Sequence, residues 1–158
     1  MPQYSLLASA ETEGVERIQP MRPRDWGMKV ECDSCREVSP NYIYVDETEE
    51  RENAGGGTRN AVFKCSFCKT VITVDVDPSS YGAYYPESED DTPLVVMEVR
   101  GATPVELDVG SNWVVVSEGA TFEGADLSTD WMEYDEKSGT AVSVSQFEVS
   151  FHRLKKGR

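Results

Sequence analysis

Histidine is nearly absent from this sequence: it occurs once among 158 residues, as His152. A catalytic centre usually needs a nucleophile with a base, paired carboxylates in a cleft, or a metal with an open position, and no pattern here indicates any of these. The glycines at 55–57 lack the strand-to-helix context that a phosphate-binding loop requires. We therefore expect that the protein is not an enzyme.

Positive charge is also scarce, with 15 basic against 29 acidic residues and a net charge of -14. Such a charge repels nucleic acid and anionic lipid, so we expect neither as a partner, and we regard the basic tail at 153–158 as a solvated end. No apolar run approaches the roughly 20 residues of a membrane span, and residues 1–10 lack a basic signal region. We expect a soluble monomer in the cytoplasm, with the nucleus as the alternative.

Helical periodicity is nearly missing, and alternation of apolar and polar residues takes its place. Ile72, Val74 and Val76 share one face of such a stretch, as in a half-buried strand. The same pattern predicts strands at 4–9, 28–31, 41–45, 61–64, 94–100, 105–109, 113–117 and at the end of the chain. We predict an all-β protein of sandwich or barrel type.

Three local features refine this prediction. The apolar face of the last strand changes near Ser145 and Gln146, which predicts a β-bulge. Residues 94–99 are almost continuously apolar and should form a central strand covered on both sides. Residues 46–57 and 77–91 are acidic or rich in Gly and Pro, and we expect them to be loops.

The chain is short enough for a single compact β domain over 1–158. Within it we place a zinc-knuckle subdomain at about 26–78 and a second β half at about 92–154. A weak repeat relates Gly14-Val15-Glu16 to Pro104-Val105-Glu106, and it suggests that the two halves are pseudo-symmetric.

Four cysteines occur as two CxxC pairs, Cys32 with Cys35 and Cys65 with Cys68. This spacing lets one tight turn direct two thiolates at a single ion, and two such turns complete a tetrahedron. Residues 36–64 separate the pairs, more than the roughly 15–20 residues of a compact zinc ribbon. The set predicts one structural zinc ion, because four protein ligands leave no position for substrate.

Other uses of the cysteines remain open. Two disulfides are disfavoured in a reducing compartment, and unrelated reduced cysteines are disfavoured by the matched spacing. A thiol redox site would need a CxxC at a helix N-terminus, which neither pair provides. A zinc ribbon that binds nucleic acid is a further alternative, supported only by the spacing and the basic tail.

One acidic segment near the C-terminus combines aromatic residues with carboxylates. We consider Trp131, Tyr134 and Asp135 a candidate partner surface, although aromatic side chains that pack a loop onto the core are the commoner case.

Further motifs are spread nearly end to end: Arg22-Pro23 ahead of Trp26, Met28-Lys29, Gly56-Gly57 with Arg59, Glu98, Arg100-Gly101, Pro104, and Asp130-Trp131 followed by Tyr134-Asp135-Glu136-Lys137. Together with the CxxC pairs, they make the sequence resemble the eukaryotic CXXC-motif-containing zinc-binding proteins. The resemblance implies a β-rich fold with one zinc ion held by the four cysteines, and it implies no reaction.

Asn60 departs from this pattern, because the family that the sequence resembles has a glycine after the arginine at that position. The departure concerns the conformation of the 46–57 loop and not the metal site. Our first functional hypothesis is a zinc-stabilised module that binds other proteins, and the alternative is metal handling or thiol redox chemistry.

Overall fold

The structure is a computed structural model that describes residues 2–53 and 56–154. Gly55 of the 55–57 glycine run and residues 155–158 of the basic tail lie outside it. The strands, in chain order, are β1 Gln3–Glu13, β2 Arg17–Pro20, β3 Asp25–Cys32, β4 Ile43–Asp46, β5 Arg51–Glu52, β6 Thr58–Arg59, β7 Ala61–Lys64, β8 Val71–Val76, β9 Val95–Arg100, β10 Ala102–Asp108, β11 Trp113–Val116, β12 Thr121–Ala125, β13 Trp131–Asp135 and β14 Thr140–Arg153. The described residues contain no helix, so none that could cross a membrane, and the all-β prediction is confirmed.

The largest sheet has six strands in the order β13-β14-β1-β9-β8-β7, with every neighbouring pair antiparallel. The apolar run at 94–99 supplies β9, which lies inside the sheet as predicted. Its alternate residues Val95, Met97 and Val99 are buried, whereas Val96 and Glu98 are only half-buried. The expected full cover on both faces is therefore wrong for the second face.

Smaller sheets complete the molecule, in the orders β10-β3-β4, β12-β11-β2 and β5-β6. β3, within the predicted knuckle subdomain, pairs with β10 of the second half, and β2, which lies outside both predicted ranges, pairs with β11. The first and last strands also lie side by side, because β1 pairs with β14. The division into a knuckle subdomain and a second half stays a prediction.

The predicted bulge is present in β14. Ser9 pairs with Glu148 and Glu11 pairs with Ser145, so Ala10 alone faces two residues of the other strand. Gln146, one of those two, has a φ of 52°, a backbone conformation that bulges often use. The bulge explains why the apolar face of the strand changes at this point.

The two predicted loops differ in outcome. The 46–57 loop contains β5, which pairs with β6 in a short hairpin, so the expectation of a structureless loop is wrong there. Residues 77–91 contain no regular strand but are tied to the core. The Tyr81 hydroxyl accepts a hydrogen bond of 2.9 Å from the indole nitrogen of Trp26, and Tyr84 bridges Ile18.

The core is centred on Trp26 and Trp113, both fully buried, whose ring centroids lie 6.2 Å apart in an edge-to-face arrangement. No motif in the sequence marks Arg24, yet its guanidinium lies 3.8 Å above the ring centroid of Trp26 and 5.0 Å from that of Trp113. It also donates to the carbonyl oxygens of Asp25 and Asn112. Burial lowers the pKa of Arg24 to about 10.

Candidate metal centre

The first knuckle begins where β3 ends, at Cys32. The N–H of Arg36 donates to the carbonyl of Cys32 at 2.9 Å, and the N–H of Cys32 donates to the carbonyl of Glu37 at 3.0 Å. The turn closes because Arg36 adopts a left-handed conformation with φ 66°. Cys32 and Cys35 are thereby held on the same tight turn.

The second knuckle repeats this geometry between β7 and β8. The N–H of Lys69 donates to the carbonyl of Cys65 at 2.9 Å, the N–H of Cys65 donates to the carbonyl of Thr70 at 2.8 Å, and Lys69 has φ 67°. Equivalent residues therefore make equivalent bonds in both turns. This match was expected from the identical CxxC spacing.

The four sulfur atoms converge although the turns come from different sheets. All four lie within 4.8 Å of one another, and the Sγ–Sγ distances are 3.6 Å for Cys32 and Cys68 and 3.6 Å for Cys35 and Cys65. Zinc–sulfur bonds of about 2.3 Å in a tetrahedron require sulfur separations of about 3.8 Å. The geometry therefore fits one zinc ion, and the cysteines form no disulfide.

Backbone N–H groups favour the thiolate form at several of these positions. Hydrogen bonds from the N–H groups of Cys35 and Cys68 lower the pKa of Cys32 and Cys65, respectively. The Thr70 hydroxyl, 3.1 Å from Sγ of Cys68, lowers the pKa of that thiol. Zinc coordination needs deprotonated thiols, so these bonds assist metal binding.

Cys35 differs from the other three cysteines. The N–H of Glu37 lowers the pKa of Cys35, but burial and the neighbouring thiols outweigh it and raise the pKa to about 12. Four thiolates this close together repel one another unless a cation lies between them. A cation bound between the sulfurs would remove this repulsion and favour the thiolate form of Cys35.

Charge and exposure are uneven around the cluster. Arg36 and Lys69 each follow the second cysteine of a pair directly, and the Arg36 guanidinium forms an ion pair with Glu31 at 3.5 Å. Cys32 and Cys65 are buried, Cys35 is half-buried and Cys68 is exposed. The exposed Cys68 is the ligand that outside reagents can approach most easily.

The three residues of the candidate partner surface differ in their exposure to solvent. Tyr134 is 56% exposed and Trp131 is half-buried with its ring centroid 5.3 Å from that of Phe122. Asp135 is fully buried, so its carboxylate cannot contact a partner. The structure places Asp135 inside a turn and leaves Met132, which is 75% exposed, on the outer surface beside Tyr134.

Asp135 organises the β13–β14 turn and its surroundings. One carboxylate oxygen accepts hydrogen bonds from the Ser117 hydroxyl at 2.6 Å and the Gly119 N–H at 2.7 Å. The other accepts from the N–H groups of Lys137 and Ser138. These donors keep the pKa of Asp135 well below its usual range.

The metal centre agrees with the comparison with known families, because residues 5–152 match the family described as CXXC motif containing zinc binding protein, eukaryotic. The chain belongs to this family. A relative in Drosophila melanogaster, UPF0587 protein CG4646, is 32% identical over 99% of this chain and 100% of its own length. The CXXC motif containing zinc binding protein of Mus musculus is 29% identical over 98% of this chain and 99% of its own.

Solved structures support the fold of this CXXC zinc-binding family member. The crystal structure of C1orf123 is similar to it with a TM-score of 0.87 and 24% identity, covering 96% of this chain and 99% of the other. A hypothetical protein from Plasmodium falciparum is similar with a TM-score of 0.82 and 18% identity, covering 96% of this chain and 100% of the other. Both likenesses concern the fold alone.

Proposed function

We propose that the protein is a non-enzymatic, zinc-stabilised β module that binds other proteins. The observation that carries this proposal is the closed set of four cysteine sulfurs within 4.8 Å. A site with four protein ligands has no position for a substrate or an activated water, which favours a structural role for the metal.

The metal would connect two sheets that, within the described part of the chain, pair no strands with each other. Cys32 ends β3 of the three-stranded sheet, and Cys65 follows β7 of the six-stranded sheet. A zinc ion bound to both knuckles would fix the distance between those strand ends. Because metal binding and folding are coupled in such sites, loss of the ion should loosen this end of the molecule first.

The exposed face of β13 supports the interaction role. Met132 and Tyr134 are 75% and 56% exposed on a strand at the edge of the large sheet. Aromatic residues and methionine are enriched at protein interfaces, and exposed apolar side chains grouped on an edge strand mark candidate contact surfaces. The neighbouring Glu133 and Glu136 would provide an acidic rim.

A site-specific photo-crosslinker tests this proposal in cells that produce the protein. A photo-crosslinking amino acid introduced in place of Met132 should yield discrete crosslinked proteins. The same amino acid in place of Val105, which is also exposed, is the matched control. Each crosslinked protein should bind the purified, zinc-loaded chain, and Tyr134→Ala should weaken that binding. Equal crosslinking at the two positions would contradict the proposal.

Metal handling is the second candidate, and the exposure of Cys68 favours it. If the protein transfers zinc or exchanges electrons through its thiolates, a competing chelator should remove the ion quickly from the folded state. If the zinc is structural, removal should be no faster than unfolding. Comparing the rate of zinc loss with the rate of unfolding distinguishes the two functions.

A further inference from the structure

Two edge strands border a groove beside the metal centre. β4 ends the three-stranded sheet and β7 ends the six-stranded sheet. Cavities of about 260 Å³ and about 200 Å³ lie side by side between them and share Ile43 and Phe63 as lining residues. We call these two cavities the β4–β7 groove. Cys65 lines it at one end and Asn60 at the other.

The backbone of β7 has hydrogen-bonding groups that β8 does not use. Cys65 donates to the carbonyl of Thr70, and the strand register continues without a shift to Ala61 opposite Val74. Hydrogen-bonded pairs alternate along an antiparallel ladder. Val62 and Lys64 therefore direct their N–H and C=O groups away from β8, towards the open edge.

The side chains of the larger cavity are mainly apolar. Val30, Ile43, Phe63 and Ile72 line it, and Phe67, which is 57% exposed, lies at its margin. An aliphatic side chain of a ligand would replace water against these residues, which is favourable at roughly 25 cal/mol per Å² of apolar area buried.

The charged residues that line the groove indicate where an acidic group of a ligand would lie. Lys64 lines the larger cavity, is exposed, and forms no ion pair among the residues that the structure describes. Glu37 lines the same cavity and would repel an acidic group of a ligand. Such a group should therefore lie on the β7 side of the groove, next to Lys64. A carboxylate there would form a charge-assisted hydrogen bond with the lysine.

We infer that the β4–β7 groove binds an extended segment of a partner protein, which adds to the free edge of β7 as a further strand. An aliphatic residue of the segment enters the groove, and an acidic residue lies beside Lys64. Strand addition of this kind takes affinity from main-chain bonds and specificity from alternate side chains. The inference rests on the proposed interaction function and adds to it a second contact site, at the opposite edge of the large sheet from β13, with a partner chemistry.

A displayed library of random twelve-residue peptides, selected on the zinc-loaded protein, supplies the probe. Enriched peptides should combine alternating aliphatic residues with an acidic residue. Each is then synthesised in two forms, with N-methyl groups on alternate residues in one register or the other. Only one form should lose binding, because a strand presents every second N–H to its neighbour.

Protein variants locate the binding site. Lys64→Glu should weaken binding about tenfold, as expected for loss of a charge-assisted contact, whereas Lys137→Glu should change it less than about twofold. Lys137 is the matched control because it is exposed and lies in the β13–β14 turn, at the opposite edge of the large sheet. Zinc content and thermal unfolding of both variants must equal those of the wild type.

Several outcomes would overturn the inference. They are a selection that enriches no peptide, equal binding by both N-methyl forms, and equal effects of the two charge variants. If Tyr134→Ala abolished binding of the selected peptides, the binding site would lie on β13 instead, and the proposed interaction function would still hold. A dimer that Lys64→Glu dissociates would assign the groove to a second copy of this chain. Failure of the interaction function itself would instead appear as absent crosslinking at Met132.

Discussion

Asn60 bonds to Val76 across the end of β8 that lies away from the metal centre: its side-chain oxygen accepts a hydrogen bond of 2.7 Å from the Val76 N–H. Its amide nitrogen donates to the carbonyl oxygens of Glu47 and Glu49 at 3.2 Å and 2.9 Å. One side chain thus ties the segment after β4 to the large sheet. The metal centre makes a corresponding connection at the other end of β7.

The Asn60 connection predicts a loss of stability when the amide is removed. Asn60→Ala leaves the backbone N–H of the buried Val76 and two carbonyls without their partner, which should lower the free energy of unfolding by about 1–3 kcal/mol. Denaturant unfolding measures the loss, and hydrogen exchange should show faster exchange at Val76. Asn41→Ala, at an exposed position without such bonds, is the control and should have little effect. An equal loss in both variants would contradict this role.

Zinc removal gives the second prediction. The protein should purify with one zinc ion per chain, and Cys65→Ser should lose it, because three thiolates and a hydroxyl form a poorer site. Elemental analysis measures the metal, and hydrogen exchange should report loosening first in β3, β7 and the two knuckles. Ser66→Ala, a change at an exposed position in the same turn, should keep the ion. A full complement of zinc in Cys65→Ser would refute the assignment of this ligand.

The CxxC pairs were predictable because their spacing alone determines the local turn, and both knuckles form as expected. The bulge at Gln146 was predictable from the change of apolar face. The order of strands was not, because β1 pairs with β14 through contacts between distant parts of the chain. The β5–β6 hairpin also escaped prediction, because its residues carry no apolar alternation and the Asn60 side chain holds the preceding segment through the carbonyls of Glu47 and Glu49.

The burial of Asp135 could not be predicted from the sequence either, and this residue gives the third prediction. Its sequence context suggested a surface, but its donors are mainly backbone N–H groups that no motif reveals. Its pKa is lower in the folded than in the unfolded chain, so its stabilising contribution is fully present above the unfolded value of about 4 and is lost as pH falls through the folded value. Wild type should therefore exceed Asp135→Asn in stability at neutral pH.

The size of that difference should depend on pH in a defined way. It should stay constant between about pH 5 and pH 7 and shrink below about pH 4, since only the wild type can take up the proton. Urea unfolding of both proteins at each pH measures it. Zinc loss at low pH affects both proteins and largely cancels in the comparison. A difference that grows on acidification would show that the carboxylate is not stabilised in the folded state.

Two arginines allow a matched test of cation–aromatic stacking. Arg24 lies 3.8 Å above the Trp26 ring and is buried, while Arg22 lies 3.8 Å above the Tyr81 ring with its side chain 42% exposed and paired with Glu47. Stacking is worth more when the cation is removed from water. Arg24→Ala should cost about 2–4 kcal/mol and shift tryptophan fluorescence, because packing of the long side chain is also lost.

Arg22→Ala should cost less, about 1–2 kcal/mol, since Arg22 is 42% exposed while its partner Glu47 is only 6% exposed and keeps the hydrogen bond from the Arg24 N–H. Adding salt should reduce the effect at Arg22 and leave that at Arg24 nearly unchanged, because buried contacts are screened far less. Chemical denaturation at two salt concentrations provides both comparisons. If both variants lost the same free energy of unfolding with the same salt dependence, burial would not strengthen the stacking of Arg24. Arg24 would then stabilise the protein no more than a surface side chain does.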